Sequence, residues 1–352
     1  MEQSSLFDDE FVLLNGAAAA IRALQPDDAL VDLKSYSDLY PGGQDVERLI
    51  RIASFLKEGL STMPPSSADH PAYLFRLWKS FKAFDRSPDP SGATVEELRH
   101  PFFRKIADAI EESRLTDSAF LAEGIPVGYT YLQTGEWDRA IRSLQTNLIE
   151  MPNNAVTYGY LGDAYWMRGD RETARQVYFE ACLIDPTALD WRHLRDEELN
   201  DLLERLPEEY GCDPSLSWEW LPVCAYIQGL FRPKLIRLRE EFKAFTDVYF
   251  ELKKRALRSP SPSLAARLFL RGIVLCDNEP FLRMCSPVVS IARRDSRPLA
   301  RGRGLKLGFP ASRRRRPVHP ERLIRKLFSS IMIYPPRWLR VLNAAIFHYE
   351  LR

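Results

Sequence analysis

The chain is poor in the residue groupings on which catalysis and metal binding usually rest. Its five cysteines, Cys182, Cys212, Cys224, Cys276 and Cys285, are scattered over 352 residues. No two stand at the two-residue gap that zinc and redox sites favour, so reduced thiols and a cytoplasmic setting are expected. There is no serine elbow, no histidine pair at helical metal spacing and no glycine-rich loop ending in Lys-Ser or Lys-Thr. Without those signatures no catalytic residue, metal or cofactor is expected, and the chain is not read as an enzyme. Long apolar runs are missing too. The strongest, Leu264 to Cys276, is interrupted by Arg267 and Arg271 and is too short to cross the hydrocarbon layer as a helix. The first residues carry Asp8, Asp9 and Glu10 ahead of any apolar run, the wrong charge order for a secretory signal.

What is present is a helical pattern. With 45% hydrophobic residues and a net charge of +1, the chain can bury a sizeable core in one large or two ordinary domains. Apolar residues recur at helical spacing at Phe11 and Leu14, at Val46, Leu49, Ile50, Ile52, Phe55 and Leu56, and at Tyr73, Leu74, Leu77 and Phe81. Strand-like alternation is scarce, so the expected class is all-α. Turn chemistry at Tyr40 to Gly43, Met63 to Ser67 and Ser87 to Gly92 separates the helices. Thr94 with Glu97 reads as a capping box opening a helix from about Val95 to Ser113.

The informative region follows. Gly128 and Gly162, Tyr131 and Tyr165, Gly135 and Gly169, Ala140 and Ala174, and Pro152 and Pro186 recur at a fixed offset of 34. Each type has a reason in a helical hairpin: a glycine where helices touch, a glycine at the turn, a small alanine beneath the partner, a proline that stops the second helix. Leu144 and Tyr178 follow the two alanines by four residues, on the same face. Tyr158, Leu161, Gly162, Tyr165, Ala174, Tyr178 and Pro186 resemble the tetratricopeptide repeat family. The two units are 121–154 and 155–188, the first departing from the pattern at Gly124, Val127 and Leu144. The resemblance implies a helical-hairpin solenoid with flanking helices, and a protein-binding concave face lined by Ile125, Tyr129, Leu132 and Gln133 and by Gly159, Asp163, Trp166 and Met167. The competing reading is that a flanking helix already fills that face. The family's carboxylate clamp is absent, since Ile125, Tyr129 and Tyr160 occupy its positions. An apolar or amphipathic segment of another protein is the expected partner.

Two hairpins need cover, because each leaves an apolar face open. Leu189 to Leu206 is read as a closing helix with Trp191, Leu194, Leu199, Leu202, Leu203 and Leu206 inward and Asp196, Glu197, Glu198, Asp201 and Glu204 solvated. Trp218 to Gly229 and Lys234 to Leu257 form a candidate degenerate hairpin. Leu235, Leu238, Phe242, Phe245, Tyr249 and Leu252 fit an amphipathic helix packed on the array better than a dimer seam. His193 with Glu197, and Asp277 to Glu279 before Pro280, are read as a helix surface and a helix end rather than metal or acid sites. Gly302 and Gly304 match no nucleotide loop.

The last stretch differs from all that precedes it. Ser286 to Arg352 holds 14 Arg and 2 Lys against one Asp and two Glu, about +13, which leaves about −12 on the remainder. Arg313, Arg314, Arg315 and Arg316 could bind anions, whether nucleic-acid phosphate or anionic lipid. Leu323 to Ile333 reads as a basic amphipathic helix. A solvated tail without a ligand and a translated reading-frame change are the rival accounts of the same residues. The expected division is an irregular helical region 1–115, a repeat array with closing helix 116–206, a helical region 207–284 and a basic tail 285–352. Its expected work is that of an adaptor or assembly scaffold, with anionic-surface binding through the tail as the alternative, and an unrecognised enzyme site in residues 1 to 115 third.

Overall fold

The computed structural model describes residues 3–84, 95–189, 194–210, 213–232, 236, 238–259 and 261–278. Among these residues the fold is all-α: thirteen helices, short 3-10 turns and no strand, with one isolated bridge between Phe120 and Pro126. No helix among them is long and apolar enough to cross a membrane. The chain divides into two compact units, Met1–Ala174 and Arg175–Arg352. The expected basic tail, Arg313 to Arg316 within it, the glycines Gly302 and Gly304, and the residues Thr94, Trp191 and His193 lie outside the described residues.

In the first unit the helices follow the apolar stripes. Helix α1 (Gln3–Arg22) turns through Leu24, held at φ 56°, into α2 (Pro26–Leu39). Pro26 at the first position and Asp27 and Asp28 in the first turn favour that start, since proline has no N–H to lose and the acids face the positive helix end. Tyr36 of α2 is buried and ties three segments, donating to Glu10 Oε1 (2.8 Å) and accepting from the Gln44 N–H (2.7 Å). The expected break at Tyr40 to Gly43 separates α2 from α3 (Glu47–Ser61), and that at Met63 to Ser67 separates α3 from α4 (His70–Phe84). Helix α5 (Val95–Ser113) takes the bounds read from the sequence. Helices α4 and α5 pack through Trp78, Phe81, Phe102 and Phe103, whose rings lie 5.3–6.2 Å apart.

Four helices carry the repeated region: α6 (Gly128–Thr134), α7 (Trp137–Glu150), α8 (Ala155–Arg168) and α9 (Arg171–Ile184). Their ends keep the sequence period. Helices α7 and α9 begin 34 residues apart and end 34 residues apart, as do the last residues of α6 and α8. Within the first unit α5 packs on α6, α6 on α7, and α7 on α8.

In the second unit α10 (Glu197–Tyr210) packs on α11 (Ser217–Ile227), α11 on α13 (Pro262–Asp277), and α12 (Arg239–Arg258) on α13. Three expectations change here. The closing helix does not begin at Leu189, which is extended; it begins after Asp196, whose carboxylate accepts the N–H groups of Glu198 (3.1 Å) and Leu199 (3.3 Å). Asp196, expected among the solvated acids, is buried and held by Arg175 through two bonds of 2.7 and 3.1 Å. The stripe on α12 is buried at Phe242, Phe245, Tyr249 and Leu252, but Leu238 is exposed.

The end of α9 is closed from α13. Arg267 donates to the carbonyl of Ile184 (2.8 Å) and Arg271 to that of Leu183 (2.7 Å). These are carbonyls the helix leaves without a partner of its own. Arg271 also lies over the Phe245 ring at 4.7 Å, and its burial lowers its pKa to about 10.

Candidate functional site

The site is built at the turns of the repeated region. Gly135 and Gly169 both take left-handed backbone, φ 81° and 95°, which a side chain would strain. After each, the next N–H reaches back to the repeat tyrosine: Glu136 to the Tyr131 carbonyl and Asp170 to the Tyr165 carbonyl, both at 2.9 Å. The same helix ending, with its long back-bond, therefore occurs twice. Gly128 meets α7 closely, since a Cβ there would stand 2.6 Å from Leu144 Cγ. Ala140, Ala174, Leu144 and Tyr178 are all buried.

Polar side chains then fix the hairpin of the first unit. Ser143 donates to the Asp117 carbonyl (2.8 Å) and Asn147 to that of Ser118 (2.9 Å), which holds the loop before α6 onto α7. Thr157 of α8 donates to Asn147 Oδ1 (3.0 Å), and Asn154 accepts the Thr157 N–H (3.1 Å) as the cap of α8. Buried polar groups that are satisfied in this way give a register as well as stability. They were not singled out in the sequence, where Ser, Asn and Thr in a helix carry no pattern of their own.

The eight residues expected to line a binding face are not equally available. Tyr129 is 9% exposed. Its ring lies 6.4 Å from Phe75 of α4, 5.5 Å from Phe103 of α5 and 4.5 Å from Tyr160 of α8. Leu132, Gly159 and Asp163 are also buried. Ile125 is on no helix. It is extended, φ −78° and ψ 124°, after a turn in which Glu123 and Gly124 take positive φ. Pro126 gives the reason, because a residue before proline is pushed out of helical backbone. Gln133 and Trp166 are half-buried and Met167 is 39% exposed. Gln133 and Met167 are equivalent under the 34-residue offset, at the C-terminal ends of α6 and α8.

Around those ends arginine side chains lie over aromatic rings. Arg171 lies over the Trp166 ring at 4.9 Å, Arg168 over Tyr165 at 5.0 Å and Arg139 over Tyr131 at 4.0 Å. Arg168 also pairs with Asp138 (3.3 Å) and Asp170 (3.6 Å). Arg139 pairs with Glu111 (2.6 Å), whose carboxyl is thereby held below its ordinary range. These contacts hold the arginine side chains over the rings, and Glu111, Glu136, Asp138 and Asp170 balance the charge of Arg139 and Arg168. Among the described residues no three His, Cys, Asp or Glu side chains are grouped to hold a metal.

The weaker motifs have structural places. Asn278, from the acidic run that ends α13, is buried, donates to the Val274 carbonyl (2.8 Å) and accepts the Ile236 N–H (2.9 Å). Cys182 and Cys224 are buried thiols, and burial pushes the Cys182 thiol well up.

Comparison with protein-family models, with curated proteins and with solved structures finds no match to this chain.

Proposed function

We propose that the chain is a protein-binding adaptor or assembly scaffold built on two tetratricopeptide-type hairpins, 121–154 and 155–188, that form part of a short helical solenoid. It carries out no catalytic step. The observation that carries this reading is the repeated helix ending: two glycines in left-handed backbone, 34 residues apart, each followed by the same back-bond to a tyrosine carbonyl. A sequence that keeps such an ending twice is built from a duplicated hairpin, and stacked hairpins present edges and faces rather than a closed reaction chamber.

The partner surface in this reading is smaller than the whole inner face. It comprises Gln133, Trp166 and Met167 at the ends of α6 and α8, since Tyr129 and Leu132 serve the core. Tryptophan and methionine offer apolar area, and the neighbouring arginines offer charge. An apolar or amphipathic segment fits that chemistry.

The test is affinity capture with the full chain, the full chain carrying Trp166→Ala and Met167→Ala, and a chain ending at Met284. Loss of about tenfold or more in capture by the double variant, with retention by the shortened chain, is the expected result. Capture that instead follows residues 285–352 and fades with salt would replace this reading by electrostatic binding through the Arg-rich segment.

A further inference from the structure

The connection between α12 and α13 reads Arg258-Ser259-Pro260-Ser261-Pro262 and so holds two serines that each precede a proline. Sequence alone does not distinguish them. Their surroundings do. Ser261 caps α13: its Oγ accepts the Leu264 N–H at 3.2 Å, and the residue is half-buried. Ser259 lies just beyond the last turn of α12, exposed, with φ −143° and ψ 83°, and its backbone N–H donates to the Arg255 carbonyl at 2.9 Å. The proline that follows biases Ser259 away from helical backbone, and α12 ends there. Arg255 and Arg258, both exposed, stand one turn and one residue before it.

We propose that Ser259 is a phosphorylation site for a kinase that reads serine followed by proline. The Ser259 Oγ attacks the γ-phosphorus of ATP. The Oγ–P bond forms, the bond from that phosphorus to the β,γ-bridging oxygen breaks, ADP leaves with the electron pair, and the hydroxyl proton passes to the kinase's catalytic base. The product carries a charge near −2 beside Lys254, Arg255 and Arg258, all exposed. A phosphate at a helix C-terminus meets an unfavourable dipole, and the two arginines offset it by charge-assisted hydrogen bonds. The modification lowers the charge of the basic end of α12, from +3 on Lys254, Arg255 and Arg258 to about +1. It leaves the α13 cap intact, because Ser261 is not the acceptor.

The experiment compares the full folded chain with a synthetic peptide of residues 252–268, each incubated with ATP and a purified proline-directed kinase, with sites assigned by fragment mass spectrometry. The peptide has no cap to protect Ser261. Freeing a capping hydroxyl is costly enough that the ratio of Ser259 to Ser261 phosphate is expected to be about fivefold higher in the folded chain than in the peptide. Because Ser87 and Ser286 also precede prolines, phosphate is read site by site: Ser259→Ala in the full chain is expected to abolish phosphate in the 252–268 segment, and Ser261→Ala to leave Ser259 phosphate unchanged. Equal ratios in chain and peptide, a preference for Ser261 in the folded chain, or a folded chain that takes no phosphate while the peptide does, would each overturn the proposal.

Discussion

Asp196 shows how far one side chain can depart from what its sequence neighbours suggest. It sits in an acidic run that helical phase places in water, yet it is fully buried. Its two oxygens serve the start of α10 and the Arg175 guanidinium at once. Asp196→Ala removes the cap of α10 and one of two carboxylates on Arg175, which keeps Glu198 at 2.9 Å, so it is expected to destabilise the chain by about 1–3 kcal/mol. Asp196→Asn keeps an acceptor for the helix start and should cost less. Urea unfolding with unchanged slope checks both, and midpoints equal to the parent chain's would show that the pair contributes nothing. Asp170 gives a prediction of a different kind. The Thr173 hydroxyl and then the Thr173 N–H hold its carboxylate below the ordinary aspartate value of 3.8. A lowered folded pKa means that the stabilising contribution is present above the ordinary value and is lost as pH falls through the folded one. Carboxyl titration by NMR should find Asp170 below an unfolded aspartate, and Thr173→Val should move it back towards that value.

At the scale of elements, glycine is where the sequence speaks most clearly. A close crossing excludes a side chain at Gly128, and left-handed backbone disfavours one at Gly135 and Gly169. An alanine at Gly128 would place its Cβ 2.6 Å from Cγ of the fully buried Leu144. Gly128→Ala is expected to cost about 1–3 kcal/mol by overpacking. Gly135→Ala should cost about 1–2 kcal/mol through its positive φ alone. Thermal unfolding distinguishes the causes, since Leu144→Ala should offset part of the first change and none of the second. Other element boundaries were less legible. The start of the first repeat was mapped as helix through Ile125, although Gly124 and Pro126 flank it, and those two residues set the turn that shortens α6 to Gly128–Thr134. The start of α10 was placed too early because apolar residues such as Leu194 extend the helical phase past the cap. The stripe on α12 was readable as a packed face, but not its partner α13, since which helix covers a stripe is decided by contacts far apart in the chain.

For the whole molecule, the consequence lies in what covers the repeated helices of the first unit. Phe75, Phe103, Tyr129 and Tyr160 form a continuous set of ring contacts across α4, α5, α6 and α8. Tyr129 was an attractive binding residue in the sequence because its place in the repeat pattern says which way it points, while nothing local says that α4 and α5 have already taken the space. The ring contacts turn a binding residue into a core residue, and the two roles separate under mutation. Tyr129→Ala is expected to destabilise the chain by about 3–5 kcal/mol, the usual cost of truncating a buried aromatic. Trp166→Ala removes a half-buried ring over which the Arg171 guanidinium lies, and it should leave the melting temperature within a few degrees of the parent chain. If the adaptor reading holds, partner capture should follow the opposite order at a temperature where both variants are folded: weakened by Trp166→Ala and kept by Tyr129→Ala. Capture lost in Tyr129→Ala and kept in Trp166→Ala, with both chains folded, would move the binding surface away from the ends of α6 and α8.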